Sequence, residues 1–335
     1  MTRQLTTGDV FLTELQASLD KLDKLMCHFV RAGIVWLILG MAVMPSGPSY
    51  NPGRLYQLVL GLLLYLPLII FLARHPKYFL EFFRQPLVPW VVLLLAWGAF
   101  SVLWSNVKHP LDEISHNISI LLFLLGWWLS MTDRSRHIRN LLAGCGLMMA
   151  LVAIIAMLRF YEDPPVDRRL IGFGVMANPN LAAAAMAAAI FWLMGWPLCQ
   201  LREKLVHGLA ISILAIFIVM TNTRSAWIGL LVAMLVFLLC GRRHKWWWLI
   251  ILTLIICVTG ALLEFPAIAG RGLSLRPQIL SESWKIFLQH PLMGLGQGAQ
   301  FKIKAGSEIF VHTHNVFSQI AVELGLPGLL LWSGI

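Results

Sequence analysis

Two histidines near the C-terminal end of the chain are the side chains best suited to acid–base chemistry. His312 and His314 stand two residues apart, directly before Asn315 and the last apolar run. Histidine titrates near neutral pH, so an imidazole here could take a proton from a hydroxyl group. Two histidines could also bind a metal ion, but no His-Glu-x-x-His motif and no cysteine pair accompanies them. We therefore predict a general base and no metal site.

Arginines are the second group that could do chemistry. Six of them lie in or beside the polar stretches that connect apolar runs: Arg159, Arg168, Arg169, Arg224, Arg271 and Arg276. A guanidinium group keeps its charge and binds phosphate oxygens through paired hydrogen bonds, which predicts a site for a phosphorylated or pyrophosphorylated ligand. Pairing with the acidic residues of segment 162–167, or with lipid phosphates, is the alternative for Arg168 and Arg169. Arg224 stands in a short Thr-Asn-Thr-Arg-Ser turn without an acidic neighbour, which favours a functional role.

The segment 265–314 is too long and too polar to be a simple connector, and loops of this length often carry function. Within it, the pattern predicts a helix from Ile279 to Gln289 with Trp284 and Phe287 on or near its apolar face. A glycine-rich turn follows at 290–298. Because no Lys-Ser/Thr pair follows these glycines, the turn is not a P-loop.

The composition shows which class of protein must position these residues. The chain has 335 residues, of which 59% are apolar and 13% charged, and its mean hydropathy is +0.76. Soluble domains have roughly 45–50% apolar and about 25% charged residues, so a soluble globule, a disordered chain and a disulfide scaffold are excluded. The formal charge of +10 fits positive loops at a membrane surface and an anionic ligand, not nucleic acid. The five cysteines show no pairing pattern and are predicted to fill the core.

Apolar runs long enough to cross a membrane recur along the whole chain. We predict an all-α polytopic membrane protein with about ten spans, at 30–45, 55–73, 87–105, 114–131, 138–159, 181–197, 205–221, 225–240, 246–264 and 315–335. The first 28 residues are predicted to form an amphipathic helix on the cytoplasmic surface. Spans one to nine then occupy 29–264, and the long loop 265–314 carries catalytic residues. The tenth span stops inside an apolar run, so we expect further helices in the native protein.

The orientation follows from the basic residues, because short loops rich in Lys and Arg stay on the cytoplasmic side. Alternate loops carry such clusters, and they share a side with the N-terminal lysines: Lys21 and Lys24; Arg74, Lys77 and Arg84; Arg134, Arg136 and Arg139; Arg202 and Lys204; Arg242, Arg243 and Lys245. The N terminus is therefore predicted to be cytoplasmic. The segment 161–180, the turn at Arg224 and the loop 265–314 are then predicted to lie outside.

Three motifs, in this order, resemble those of the bacterial O-antigen ligases and their relatives. The first motif has two parts, Asn178-Pro-Asn180-Leu-Ala and Thr223-Arg224-Ser-Ala-Trp227. The second motif is His290-Pro-Leu-x-Gly294-x-Gly296. The third is His314-Asn315, nine residues, and then Gly325-Leu-Pro-Gly328, which is similar to the H-N-x9-G-x-x-G signature of this family. The resemblance covers roughly residues 170–335, and the earlier spans fit the family only by hydropathy and number.

The resemblance implies a metal-independent, inverting glycosyltransferase without a cofactor on the periplasmic side of the bacterial inner membrane. Such enzymes move a glycan from undecaprenyl pyrophosphate to an acceptor, which for the ligases is a sugar hydroxyl of the lipid A core. Its partners would be this donor, this acceptor and membrane lipids, in lipopolysaccharide biosynthesis.

The resemblance also implies roles for particular residues. His314 matches the family's essential histidine and would act as general base, and Arg224 matches a family arginine that would act in catalysis. The residues expected to bind substrate are Arg169, Arg271, Arg276, Asn178, Asn180, His312 and Asn315. For Asn178 and Asn180, capping of the following helix is an equally good interpretation.

Several alternatives remain open from the sequence. Leu329 follows the second glycine of the signature, a position at which ligases often have Thr. Members of the family commonly have about twelve spans, against about ten predicted here. A polysaccharide polymerase or a protein O-oligosaccharyltransferase would use the same donor with another acceptor. A lipid-linked glycan transporter would also have many spans and a basic external mouth. Ionisable groups inside the spans, which transport would need, are few; His116, His207 and Glu323 are the clearest.

Overall fold

The computed structural model of the chain describes residues 7–44, 53–165, 169–196, 200–240, 255, 259 and 275–335. Most of them are helical, and a single two-stranded hairpin is present in this described part. The chain divides into two compact units. Unit 1 comprises Met1–Pro67 and Ser130–Gly270, and unit 2 comprises Leu68–Leu129 and Arg271–Ile335.

The helices follow the apolar runs. They are α1 (Thr7–Val43), α2 (Arg54–Leu60), a π-helical stretch (Gly61–Tyr65), α3 (Leu66–Arg74), α4 (Pro76–Phe83), α5 (Val88–Ser101), which ends in a 3-10 turn (Val102–Trp104), α6 (Pro110–Glu162), a 3-10 turn (Gly174–Ala177), α7 (Pro179–Met194), α8 (Leu201–Met220), α9 (Arg224–Cys240), α10 (Arg276–Gln289) and α11 (Val316–Ser333). The hairpin between α10 and α11 consists of β1 (Ile303–Ala305) and β2 (Glu308–Phe310).

Six of the described helices are long and apolar enough to cross a membrane: Leu19–Val43, Arg54–Arg74, Pro110–Met131, Ile138–Glu162, Leu201–Met220 and Val316–Ser333. A seventh span results if α4 and the helix Val88–Trp104, which meet at a bend of 92°, are counted together. The predicted all-α polytopic class is confirmed, whereas the number of ten spans is not reproduced. Two predicted spans, α7 and α9, are shorter apolar helices, and the predicted span 246–264 lies almost wholly outside the described residues.

Two pairs of predicted segments are joined in the structure. The spans predicted at 114–131 and 138–159 correspond to the candidate spans Pro110–Met131 and Ile138–Glu162, and both lie in one helix, α6, because the polar residues between them include no helix-breaking Gly or Pro. Likewise, α1 runs from Thr7 to Val43 and so includes both most of the predicted surface helix and most of the first predicted span. Charged residues with good helix propensity do not end a helix, even where hydropathy changes sharply.

The core of unit 1 is the contact between α7 and α8. Asn178 caps α7 by accepting a hydrogen bond from the Asn180 backbone N–H at 2.9 Å, and Pro179 occupies the first helical turn. Small residues such as Ala182 and Ala189 are fully buried on α7, which lets α8 approach closely with Phe217 and Ile218. The capped start of α7 therefore has a fixed position within this unit.

In unit 2, α10, the hairpin and α11 share one apolar core. Ile279 and Phe287 of α10 pack with Ile303 of β1 and with Ala321 and Val322 of α11. The helix predicted from Ile279 to Gln289 is thus present as α10, which begins three residues earlier. Phe287 is buried, as expected, but Trp284 is 54% exposed. This core holds the segment between β2 and α11, where the two histidines lie.

A break in α11 is locked by the glycine-rich turn. Gly325 has φ +66° and ψ −160°, and Pro327 follows it without a backbone N–H. The carbonyls that lose their helical partners accept hydrogen bonds from donors outside the helix. Leu295 N–H donates to Val322 O (2.8 Å), Gly296 N–H to Glu323 O (2.8 Å), and the Trp97 indole N–H to Leu324 O (2.9 Å). Every buried backbone carbonyl needs such a partner, so the turn and the break stabilise each other.

Candidate active site

The two predicted histidines lie in a tight turn directly before α11. His314 has φ +53°, a left-handed conformation that is uncommon for residues other than glycine. Buried Thr313 holds this turn, since its hydroxyl donates to the Asn315 carbonyl at 2.7 Å. Asn315 ends the turn as the cap of α11, because its side chain accepts the Ser318 backbone N–H at 3.1 Å. His314 is thereby presented on an exposed, well-defined loop.

The surroundings of His314 favour its neutral, proton-accepting form. Partial burial lowers the pKa of this imidazole below its ordinary value of 6.5, and the charges of His312 and Arg276 lower the pKa further. The ring also packs edge-on against Phe310 of β2, with centroids 5.5 Å apart. Since a lower pKa leaves more of the imidazole neutral at neutral pH, this histidine is poised to act as a base.

Arg276 is the first residue of α10, and its side chain is exposed. A cation is disfavoured at a helix N-terminus, where the free backbone N–H groups already carry positive potential. Arg276 therefore does not stabilise α10, and its charge combines with that of the helix end to attract anions. Unit 2 thus brings together four of the predicted site residues: His312, His314, Asn315 and Arg276.

Unit 1 brings together another four: Arg169, Asn178, Asn180 and Arg224. The Arg169 guanidinium donates to the Thr221 carbonyl (3.0 Å), to the Thr223 hydroxyl (3.2 Å) and to the Asn180 side-chain oxygen (3.3 Å). These contacts join the start of α7 to the turn between α8 and α9. Arg169 therefore organises the turn that ends at Arg224.

Arg224 begins α9, as Arg276 begins α10, so both arginines stand at helix N-termini. The combination of guanidinium and helix N-terminus is a common arrangement for binding phosphate groups. Arg224 is half-buried, directly after buried Thr223. The anion site at this turn stays a prediction.

Some residues of these clusters were not found from the sequence as site residues. Thr221 and Thr223 contact Arg169, and Gln319 accepts the Thr313 backbone N–H at 3.0 Å. Their signal is polar side chains at the ends of apolar runs, which is weak without the fold. Arg168 and the predicted substrate-binding Arg271 lie outside the described residues. Within the described part of the chain, no group of three or more His, Cys, Asp or Glu residues is arranged to hold a metal ion.

The fold and these clusters define a class of protein: a polytopic helical membrane protein with a histidine in a tight turn before its last described helix and arginines at helix N-termini. Residues 209–333 match the family model described as O-antigen ligase. Over 318 residues, the chain is 23% identical to an O-antigen ligase of Pseudomonas aeruginosa, an alignment that covers 93% of this chain and 77% of that protein. The two matches confirm the predicted resemblance to the O-antigen ligases. No solved structure matches the chain.

Proposed function

We propose that this chain is an inverting glycosyltransferase of the O-antigen ligase type. It moves a glycan from undecaprenyl pyrophosphate to a sugar hydroxyl of the lipid A core, on the periplasmic side of the bacterial inner membrane. The observation that carries the proposal is the geometry of His314: an exposed imidazole with a lowered pKa, held in a tight turn beside the positive charge of Arg276. The resemblance to the O-antigen ligases supports a glycosyltransferase.

His314 acts as the general base in this reaction. The neutral imidazole takes the proton of the acceptor hydroxyl while that oxygen attacks the anomeric carbon of the donor sugar. The bond between this carbon and the pyrophosphate oxygen breaks on the opposite face, so the configuration inverts. The electron pair leaves with undecaprenyl pyrophosphate, and the proton stays on His314 until solvent removes it.

The arginines stabilise the leaving group. As the glycosidic bond breaks, negative charge grows on the pyrophosphate, and fixed positive groups lower the energy of this transition state. Arg224 carries this role because it combines its guanidinium with the N-terminus of α9. Arg169, Asn178 and Asn180 bind the donor or hold the turn that contacts it, and Arg276 and Arg271 add positive charge.

Two sets of contacts support the proposed topology. Asn106 lies between the predicted third and fourth spans, which the predicted span order puts on the outer side, and it exchanges hydrogen bonds with Gln300 of the long loop at 2.6 and 3.0 Å. In unit 1, Arg169 of the predicted outer segment 161–180 contacts the turn at Thr221–Thr223. Within each unit, residues that the predicted span order puts on the outer side therefore meet, which supports their lying on one side of the membrane.

The test is a transfer assay with purified full-length protein, an undecaprenyl pyrophosphate-linked glycan and lipid A core, with EDTA present throughout. His314→Asn is the main variant, because Asn tolerates the left-handed backbone of this position but cannot act as a base. Arg224→Met removes the phosphate contact. His109→Asn makes the same chemical change at an exposed histidine outside the site.

We expect wild type and H109N to glycosylate the core, and H314N and R224M to lose at least about 100-fold in kcat. Lengthening of the lipid-linked glycan, with the core untouched, would show that the chain is a polymerase. Activity that needs added metal would overturn the proposed metal-free base. Full activity of a folded H314N protein would remove His314 from the mechanism.

A further inference from the structure

Two polar side chains of α11 form a hydrogen-bonded chain that ends at the histidine turn. Glu323 accepts a hydrogen bond from the Gln319 side-chain amide at 2.5 Å, one helical turn away. The Gln319 side-chain oxygen in turn accepts the backbone N–H of Thr313 at 3.0 Å. Thr313 directly precedes His314, so the chain Glu323–Gln319–Thr313 leads to the residue that acts as base.

The turn depends on Gln319 in two ways. The Gln319 backbone N–H donates to the Asn315 carbonyl at 2.9 Å, and the Thr313 hydroxyl donates to the same carbonyl. The Gln319 side chain holds the residue before His314, while its backbone holds the residue after it. His314 is thus bracketed on both sides, and the bracket maintains its left-handed backbone.

The other end of the chain is anchored in the glycine-rich turn. The Glu323 carboxylate also accepts the backbone N–H of Gly298, and the Glu323 backbone carbonyl accepts the Gly296 N–H. Gly298 has φ +69°, and its neighbour Gln297 donates to Glu113 of α6 at 3.2 Å. Glu323 therefore connects the turn 290–298 to the turn 312–315 through α11.

We propose that Gln319 and Glu323 are positioning residues that hold His314 for proton transfer. The inference rests on the proposed function, since it assumes that His314 is the base. Polar and ionisable groups are expensive inside an apolar helix and are retained where they are used. Here the side-chain oxygen of Gln319 accepts a hydrogen bond from the histidine turn, and its amide donates to the carboxylate of Glu323.

The experiment exchanges the two side chains. In the double variant Q319E/E323Q, the new carboxylate accepts the Thr313 N–H and the amide of the new glutamine, whose oxygen accepts the Gly298 N–H. All three hydrogen bonds therefore have a donor and an acceptor. The single variant Q319E instead places two carboxylates side by side, and Q319L removes both hydrogen bonds of this side chain. Gln289→Leu, at the exposed end of α10, is the matched control.

For each variant, kcat and the donor and acceptor KM are measured together with thermal unfolding. We expect Q319L and Q319E to lower kcat by about 10- to 100-fold, because small displacements of a catalytic group have effects of this size. The KM for the donor should stay within about 2-fold of wild type if the arginines bind it. The double variant should recover kcat to within about 5-fold, and Q289L should match wild type.

Two outcomes overturn the inference: a folded Q319L protein with wild-type kcat, or a folded double variant as slow as Q319E. If Q319L does not fold, the comparison of Q319E with the double variant decides, because both retain a polar group at position 319. Failure of the proposed function has a different signature. Wild type would then not transfer glycan, or H314N would remain active, whatever the state of Gln319.

Discussion

The chemistry of the proposed base depends on a few atoms around His314. Its pKa is lowered first by partial burial and then by the charges of His312 and Arg276. Burial disfavours the charged imidazolium, and a neighbouring positive charge acts in the same direction. The neutral form is therefore present above this lowered pKa and is lost as the pH falls through it.

Removal of the positive charge of Arg276 should move the pH dependence of catalysis. In R276Q, the His314 pKa is expected to rise, so the acidic limb of the kcat/KM profile should shift to higher pH while the alkaline plateau keeps its position. The measurement is kcat/KM for the acceptor as a function of pH, at saturating donor. K285Q is the control, because Lys285 is exposed and pairs with Glu282 at 2.6 Å. Identical profiles for wild type and R276Q would rule out electrostatic coupling of Arg276 to the base.

Asn315 has a structural role that can be separated from substrate binding. Its side chain caps α11 by accepting the Ser318 N–H at 3.1 Å. Asp is an equally good cap, whereas Ala leaves this N–H without a partner and typically costs about 1 kcal/mol. We expect N315D to keep the thermal stability of wild type and N315A to lose stability in thermal unfolding experiments. If N315D is stable but inactive, the predicted contact with substrate is supported; if it keeps full activity, capping is the whole role.

At the level of elements, two motifs that are separate in the sequence are one structure. The glycine-rich turn at 290–298 supplies the hydrogen bonds that the break at Gly325 takes away from α11. Gly294, with φ +66°, also lies against this break, and a Cβ atom there would collide with the Glu323 carbonyl. The spacing of Gly294, Gly296 and Gly325 is therefore explained by backbone contact. A phosphate-cradling role is not needed to account for these glycines.

The break in α11 should be intolerant of any side chain. In G325A, a Cβ atom would lie 2.7 Å from the Leu292 carbonyl oxygen and 2.9 Å from the Gly294 nitrogen. The backbone conformation alone costs a residue other than glycine about 1–3 kcal/mol. We expect G325A to unfold at a clearly lower temperature, or not to accumulate.

The control for this prediction is Gly144 of α6, which is exposed and has no neighbouring atom within 4 Å of an added Cβ. In a helix, Ala is favoured over Gly, so G144A should be as stable as wild type or slightly more stable. Both variants are followed by thermal unfolding in detergent. Equal unfolding temperatures for G325A and wild type would contradict the account of the interlocked turn.

At the scale of the whole molecule, hydropathy predicted the helical membrane class and the approximate place of most described helices. It did not predict how many helices meet the length of a span, because α7 and α9 are short. Nor did it show that α6 is continuous, since charged residues interrupt an apolar run without ending a helix. Charge and composition describe local preferences, and they carry no information on which helices share a unit.

The candidate site was predicted in a similar way. His314, Arg224, Arg169 and Arg276 were predicted from residue type and motif, because reactive groups are rare in an apolar chain. The chain through Gln319 and Glu323 was not found, although Glu323 stood out as an ionisable group. Contacts such as Asn106 with Gln300, 194 residues apart, arise from the fold and leave no local pattern.

The orientation in the membrane can be tested with two cysteines in unit 2. Lys77 belongs to a basic loop, which the positive-inside rule assigns to the cytoplasm, and Glu308 lies in the hairpin of the predicted periplasmic loop. Both side chains are exposed. In a background without the native cysteines, a membrane-impermeant maleimide should label E308C in intact spheroplasts. It should label K77C only after the inner membrane is permeabilised, because the reagent cannot cross the bilayer.

Labelling of both cysteines after permeabilisation shows that each is reactive, and a transfer assay shows that each variant is folded. Label on K77C but not on E308C in intact spheroplasts would reverse the orientation and place His314 on the cytoplasmic side. If both cysteines are labelled in intact spheroplasts, or both only after permeabilisation, the number of crossings between residues 77 and 308 is even. Seven crossings are predicted between these residues, so the loss of one of them, for example that of the short helix α7 or of the short helix α9, would put both cysteines on the same side.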